Sequence, residues 1–227
     1  MRRGEVWLVG AGPGDPELMT LKAARLLAEA DIVFHDALVG AGVLDMIACD
    51  TRRVSVGKRS GRHSQDQETI NGLIVEAARN GLRVVRLKGG DPSIFGRSGE
   101  EIAALTAAGL RVHVCPGITT ACAAAASART SLTLRGLARQ LTFVTAHARA
   151  GEPLELDWAG LAADRSSLAI YMGRAAAPEI ARRLIEAGRG GATPAVVAVD
   201  VSLPSERLIR TRLDALAFAV RAISGDA

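Results

Sequence analysis

The fold is decided by residues 5–30, which read EVWLVGAGPGDPELMTLKAARLLAEA. After Glu5, the four apolar residues 6–9 lead to a glycine, and the stretch 5–9 is typical of a buried strand. After the glycine-rich loop, Leu18, Leu21 and Ala24 recur at three-residue spacing, and we predict a helix over 16–30. A strand followed directly by a helix is the repeating unit of parallel sheets.

The same alternation continues beyond this first unit. We predict further strands over 32–34, 53–56, 82–87, 110–115 and 141–145, and helices over 43–48, 65–79, 98–108 and 119–128. Asn80 and Gly81 supply the stop signal of the long helix that begins near residue 65. The pattern predicts an α/β domain with a mostly parallel sheet and helices on both faces.

Residues 148–157 read ARAGEPLELD, a polar stretch interrupted by glycine and proline that is typical of a linker. A chain of 227 residues suits two domains, because single cores usually stop growing near ~250 residues. We therefore predict an N-terminal α/β domain over 1–147, this linker, and a smaller C-terminal α/β domain over 158–227. A ligand cleft is expected between the two domains.

Composition limits the classes of function. The chain has 28 Lys plus Arg against 24 Asp plus Glu and is 48% apolar, which excludes disordered and fibrous proteins. No apolar run approaches the ~18 residues of a bilayer span, and no signal sequence follows Met1, so we expect a soluble, cytoplasmic protein. Aromatic residues make up only 3% and basic residues are scattered, which favours a cleft for a small anionic substrate over a nucleic-acid surface.

The cysteines and histidines predict neither a disulfide framework nor a metal cofactor. No pair has the spacing of a zinc site, and no two histidines lie four residues apart. We expect small buried thiols at the three cysteines, Cys49, Cys115 and Cys122.

Ligands of open parallel sheets bind beyond the carboxyl ends of the strands, so the loops there matter most. The first loop, 10–16, reads GAGPGDP and resembles a dinucleotide loop. A G-x-G-x-x-G pattern begun at Gly10 would require glycine at Asp15, and Pro13 and Pro16 remove amide donors. NAD binding is therefore disfavoured, and a tight turn explains the glycines as well as any function does.

Two further loops carry charge. Asp36, at the end of the second strand, could accept a proton or could cap the following short helix. Residues 57–63 read GKRSGRH, in which Lys58, Arg59 and Arg62 could bind carboxylates or could simply be solvated.

Residues 86–97, RLKGGDPSIFGR, form the most unusual loop. Gly89 and Gly90 leave a bare backbone that a flat ligand could approach, and Asp91 could accept hydrogen bonds from its hydroxyl or ammonium groups. The alternative is a turn that requires a positive φ. Thr119, in the loop PGITT at 116–120, could contact a ligand or could cap the Ala-rich helix that follows.

Five segments matter most when they are taken together. They are GAGPGDPELMTLKA at 10–23, VGKRSGRHSQDQETIN at 56–71, VVRLKGGDPSIFGRSGEE at 84–101, VCPGITTACAAAA at 114–126 and AIYMGR at 169–174. In order and spacing they resemble the tetrapyrrole methylase family. The VGKR and RLKGGDP blocks look particular to the members that methylate uroporphyrinogen III.

The resemblance implies a two-domain α/β methyltransferase, usually a homodimer, that holds S-adenosylmethionine in its cleft without a Rossmann-type site. It implies methylation of two pyrrole carbons of uroporphyrinogen III, giving precorrin-1 and then precorrin-2, for sirohaem or cobalamin synthesis. S-adenosylhomocysteine is the other product, and no metal takes part.

The resemblance also implies residue roles. The proton acceptor matches Asp36 and the proton donor matches Lys58. The donor-binding positions match Pro13, Gly89, Gly90, Asp91, Ile94, Thr119, Thr120 and Met172, together with Val201, where the family has glycine. For the eight substrate carboxylates we predict contacts from Lys58, Arg59, Arg62, Arg97 and Arg135.

Other departures from the family pattern concern the substrate. Ser93 replaces a phenylalanine, Ser98 a glycine, Leu134 a histidine and Ala146 a glycine. We also expect the C-terminal domain to lack the family's last strand. A methyltransferase for a later precorrin or cobalt-precorrin, a non-catalytic binder of the donor or a tetrapyrrole, and a nicotinamide oxidoreductase are the alternatives.

Overall fold

The protein is described from a computed structural model, in which residues 1–57, 66–147, 154–163 and 165–224 are described. Contacts divide the chain into two compact units, 1–123 and 124–227. Within the described ranges, no helix is long and apolar enough to cross a membrane.

The first unit alternates strands and helices as the sequence predicts. Its elements are β1 (Glu5–Gly10), a 3-10 turn (Pro16–Leu18), α1 (Leu21–Ala28), β2 (Ile32–His35), α2 (Ala41–Asp45), β3 (Arg52–Ser55), α3 (Gln67–Arg79), β4 (Val84–Lys88), α4 (Ser98–Ala107), β5 (Arg111–Cys115) and the start of α5 (Thr120–Ser127). The helix predicted over 16–30 is in fact a 3-10 turn and α1. The break lies at Thr20, whose hydroxyl caps α1 by accepting a hydrogen bond from the Ala23 amide.

The first sheet has the order β3-β2-β4-β1-β5, and all its neighbouring strands are parallel. Alternate residues of β1 point to opposite faces, because the side-chain period of a strand is two. Val9 packs in one buried cluster with Leu27 of α1, whereas Leu8 packs in a second cluster with Ile74 of α3. The predicted parallel sheet with helices on both faces is therefore confirmed.

The second unit contains the rest of the described chain. Its elements are the end of α5, β6 (Gln140–Thr145), α6 (Trp158–Ala162), β7 (Ser166–Tyr171), α7 (Ala177–Glu186), β8 (Pro194–Val199), β9 (Arg207–Arg212), a 3-10 turn (Leu213–Ala215) and α8 (Leu216–Ser224). β6 and β7 pair in parallel, and β8 and β9 pair antiparallel. Ile180 and Leu184 of α7 pack with Leu213 in its core.

β6 joins the second unit, although the sequence predicted it as the last strand of the first domain. It pairs with β7 over six residues, from Gln140 opposite Ser166 to Thr145 opposite Tyr171. The apolar pattern of a strand does not specify its partner. The division by contacts falls inside α5, and the linker at 148–157 stays a prediction. Of the predicted linker, residues 148–153 lie outside the described residues.

The cysteine prediction is confirmed at one position only. Cys115 is buried at the end of β5, whereas Cys49 and Cys122 are exposed. In α5 the buried positions beside Cys122 are occupied by Ala123 and Ala125, which turns the thiol to the surface.

Candidate active site

Three loops lie together at the carboxyl edge of the first sheet, and two of them are joined backbone to backbone. The Ala11 amide donates to the carbonyl oxygen of Lys88 at 2.8 Å. Gly12 and Gly90 exchange two hydrogen bonds, of 3.2 and 2.7 Å, and so form a short antiparallel bridge. The loops after β1 and β4 therefore form one continuous surface.

Glycine is required where the loop after β5 meets the other two. A Cβ at Gly10 would lie 2.6 Å from the Cα of Gly117, and a Cβ at Gly117 would lie 2.3 Å from the carbonyl oxygen of Gly90. Gly90 has a φ of +67°, so a turn with positive φ does explain this glycine. The same geometry leaves the joined loops without large side chains at their centre.

Asp91 ties two of these loops together. Its Oδ1 accepts a hydrogen bond from the Ser93 amide at 2.7 Å, and its Oδ2 accepts one from the Gly117 amide at 2.9 Å. Each carboxylate oxygen therefore has a backbone donor. The carboxylate holds the loop after β4 against the loop after β5.

The other predicted donor-binding residues of the first unit lie in the same three loops. Pro13, Ile94 and Thr119 are half-buried. A Cβ on Gly90 would lie 3.9 Å from Oγ1 of Thr120, which places that hydroxyl beside the glycine. Thr119 directly precedes α5, and its carbonyl oxygen accepts hydrogen bonds from the amides of Cys122 and Ala123. The structure thus brings seven predicted positions to one edge of the sheet.

A buried charge network begins at Asp36. Its Oδ1 accepts a hydrogen bond from Nη2 of Arg86. Nε of Arg86 donates to Oε1 of Glu101 at 2.8 Å, and Nζ of Lys88 lies 3.0 Å from each Glu101 carboxylate oxygen. These four side chains, Asp36, Arg86, Lys88 and Glu101, are called the Asp36–Glu101 network below.

The network contradicts the alternative in which Asp36 caps the next helix. The residue that precedes α2 is Gly40, and no side chain caps that helix. Arg86 and Lys88 are each 3% exposed and Glu101 is 1% exposed, so these three members of the network are shielded from water. Burial lowers the pKa of the Lys88 ammonium, and the nearby Arg86 charge lowers it further, while Glu101 opposes both effects.

Comparison with known proteins assigns the family. The profile of the family described as Tetrapyrrole (Corrin/Porphyrin) Methylases matches residues 5–217. The chain belongs to the tetrapyrrole methylase family. Its relatives include a uroporphyrinogen-III C-methyltransferase of Paracoccus denitrificans, 51% identical over 217 residues, which are 96% of this chain and 76% of the relative.

Longer relatives share the same region. The siroheme synthase of Azotobacter vinelandii is 48% identical over 92% of this methylase, which covers only 45% of that relative. Among solved structures, a uroporphyrin-III C-methyl transferase of Thermus thermophilus complexed with S-adenyl homocysteine has a TM-score of 0.81 at 40% identity, covering 95% of this chain and 91% of the other. A cobalt precorrin-4 methyltransferase has a TM-score of 0.87 at 29% identity, covering 97% and 90%.

Two predicted donor-binding residues of the methylase lie in the second unit. Met172 directly follows β7, has a φ of +56° and is 55% exposed. Val201 follows β8 and is buried at 5% exposure. Their part in donor binding stays a prediction.

The structure describes only two of the predicted substrate-binding residues. Lys58, Arg59 and Arg62 lie outside the described residues. Arg97 pairs with Glu100 through two hydrogen bonds of 2.7 Å at the start of α4, and Arg135 is exposed in a turn of the second unit. Substrate binding by Arg97 and Arg135 stays a prediction.

Sequence reasoning missed the roles of Arg86 and Glu101. The available signal was the arginine inside the apolar strand VVRLK, because a charge in a buried strand requires a partner. Nothing in the pattern indicated which of the acidic residues that partner would be.

Proposed function

We propose that this tetrapyrrole methylase transfers methyl groups from S-adenosylmethionine to two pyrrole carbons of uroporphyrinogen III, giving precorrin-1 and then precorrin-2. The observation that carries the proposal is the similarity to the Paracoccus uroporphyrinogen-III C-methyltransferase, which extends over 96% of this chain. The Thermus structure with S-adenyl homocysteine supports the choice of methyl donor.

The joined loops suit such a donor. Gly89, Gly90 and Thr120 present backbone groups and small side chains at the edge of the sheet. We propose that the donor is held there by Pro13, Gly89, Gly90, Asp91, Ile94, Thr119 and Thr120, and from the second unit by Met172 and Val201. When bound, S-adenosylmethionine supplies an electrophilic methyl group on a sulfonium.

The residues of the chain then have two tasks. Displacement at a methyl group needs the pyrrole carbon and the donor in line, and correct orientation alone can supply several kcal/mol of the barrier. After methylation the macrocycle loses a proton, and Asp36 is the proposed proton acceptor, while Lys58 is the proposed proton donor. We assign the substrate carboxylates to Lys58, Arg59, Arg62, Arg97 and Arg135, since guanidinium groups bind carboxylates in bidentate fashion.

A second candidate is methylation of a later precorrin or cobalt-precorrin. The specific observation that favours it is the TM-score of 0.87 with a cobalt precorrin-4 methyltransferase. That relative is only 29% identical, whereas the uroporphyrin-type enzyme from Thermus is 40% identical. We therefore rank uroporphyrinogen III first.

We infer that the enzyme acts as a homodimer in the cytoplasm and serves sirohaem or cobalamin synthesis. Light scattering after size-exclusion chromatography measures the assembly directly, and a mass of about twice 23.6 kDa is expected.

The test compares two substrates under anaerobic conditions. Purified protein receives labelled S-adenosylmethionine with either uroporphyrinogen III or a cobalt-precorrin, and the initial rate of label transfer is measured for each. We expect faster transfer to uroporphyrinogen III. Faster transfer to the cobalt-precorrin would favour the second candidate, and saturable donor binding without transfer to either would identify a non-catalytic binder.

A further inference from the structure

Arg86 is fixed at three points. Its Nε donates to Glu101 at 2.8 Å, its Nη1 donates to the carbonyl oxygen of Leu87 at 3.2 Å, and its Nη2 donates to Asp36. A guanidinium is planar and its donors have a fixed geometry, so three separate acceptors define its orientation. Arg86 therefore has one orientation in this site.

Asp36 differs from the rest of the Asp36–Glu101 network in its exposure. Its side chain is 26% exposed, whereas those of Arg86, Lys88 and Glu101 are between 0 and 4% exposed. Oδ1 of Asp36 accepts a hydrogen bond from Arg86, and no described residue donates a hydrogen bond to Oδ2. One carboxylate oxygen is thus anchored, and the other can take up a proton from outside.

Glu101 is what allows Arg86 and Lys88 to lie side by side. They occupy alternate positions of β4, so their side chains leave the same face of the sheet. Two buried cations that are neighbours on one face of a strand would repel each other. The Glu101 carboxylate accepts hydrogen bonds from both and so offsets this repulsion. With Asp36 included, two carboxylates balance two cations.

We propose that Glu101 is a positioning residue for methyl transfer, which acts through Arg86 on the Asp36 carboxylate. This inference rests on the proposed function, in which Asp36 accepts a proton. Glu101 orients Arg86, Arg86 holds Oδ1, and Oδ2 receives the proton. The proton leaves a C–H bond of the methylated macrocycle, and the electron pair of that bond stays in the ring.

The test is the Glu101→Gln variant, measured for kcat, for KM of uroporphyrinogen III and for donor affinity. Glutamine keeps the size of the side chain but loses the charge that orients Arg86. We expect kcat to fall roughly 10- to 100-fold, since small displacements of a reacting group have effects of this size. KM and the donor Kd are expected to stay within twofold of wild type.

The matched control is Asp31→Asn. Asp31 also pairs with an arginine beside β4, through a 2.6 Å contact with Arg83, but it lies at the opposite end of the strands. Its loss lowers stability without touching the Asp36–Glu101 network, so its kcat is expected to match wild type. Both variants are assayed at a temperature where circular dichroism shows them folded.

Because Glu101→Gln leaves two buried cations with one carboxylate, a second variant protects the test against misfolding. The double variant Lys88→Met/Glu101→Leu removes one cation and one carboxylate together. The buried charges therefore remain balanced, while Arg86 loses the carboxylate that orients it. This variant is also expected to lose at least tenfold in kcat with donor affinity retained.

The outcomes separate the inference from the proposed function. A wild-type kcat in either folded variant, or an equal fall in Asp31→Asn, would overturn the positioning role while leaving methyl transfer in place. No methyl transfer by the wild-type protein would overturn the proposed function, and the inference with it.

Discussion

Gly117 and Asp91 show how single residues build the joined loops. Gly117 has no room for a side chain, and its amide donates to Oδ2 of Asp91. Asp91 is predicted to contact the methyl donor, and each of its oxygens also accepts a hydrogen bond from a backbone amide. Sequence shows that a residue is acidic and lies in a loop. It cannot show which amide the folded loop brings to it, and this part of the site could not be predicted.

Gly117→Ala tests this close approach. The new Cβ would lie 2.3 Å from a backbone oxygen, which cannot move aside as a flexible side chain would. We expect the free energy of unfolding to fall by about 1–3 kcal/mol, in the range of overpacking substitutions, and donor affinity to fall at least tenfold. Urea denaturation and calorimetric titration measure the two effects.

The control for that variant is Gly72→Ala, in the middle of α3. A Cβ there meets nothing within 4 Å, so alanine should raise the free energy of unfolding by up to about 1 kcal/mol through its helix propensity. Equal stability changes in the two variants would contradict the role assigned to Gly117.

At the scale of elements, periodicity identified the strands and helices better than their partners. α3 is observed over Gln67–Arg79 against a prediction of 65–79, because Asp66 caps it by accepting a hydrogen bond from the Thr69 amide. β6 was also found, but its pairing with β7 was not, since hydrogen bonding between strands is set by the whole chain. For the same reason, periodicity could not predict the contact between β4 and α4 that forms the Asp36–Glu101 network.

The junction of β2 and β4 contains a pH-dependent contact. Hydrogen bonds from the Arg83 guanidinium hold the pKa of the Asp31 carboxyl below its ordinary value of 3.8. The contact therefore stabilises the fold above pH 3.8, and the contribution is lost as pH falls through the lowered value. Since both side chains are about one-third exposed, about 1 kcal/mol or less is expected.

Asp31→Asn should show this dependence as a difference from wild type. At pH 7 the free energy of unfolding is expected to be lower by about 1 kcal/mol. Below pH 3.8 the difference should shrink, and it should vanish once the pH is below the lowered pKa, because the folded wild-type carboxyl is then protonated too. Urea denaturation at a series of pH values measures it, and a difference independent of pH would contradict the assignment.

At the scale of the whole molecule, the chain combines a five-stranded parallel sheet with a second unit of two smaller sheets. It spans less than half the length of the siroheme synthases that it matches. The family and the class of reaction could be predicted because the glycine loops, the RLKGGDP block and AIYMGR are local in sequence. The Asp36–Glu101 network could not, since Asp36 and Glu101 are 65 positions apart and meet only through the folded sheet.

The central claim is tested most directly by the mass of the product. The protein is incubated anaerobically with uroporphyrinogen III and S-adenosylmethionine carrying a ¹³C-labelled methyl group, and the tetrapyrrole is analysed by mass spectrometry. We predict two labelled methyl groups on the product, and their loss in Asp36→Asn with donor binding intact. A product without label, or full double methylation by Asp36→Asn, would contradict the account.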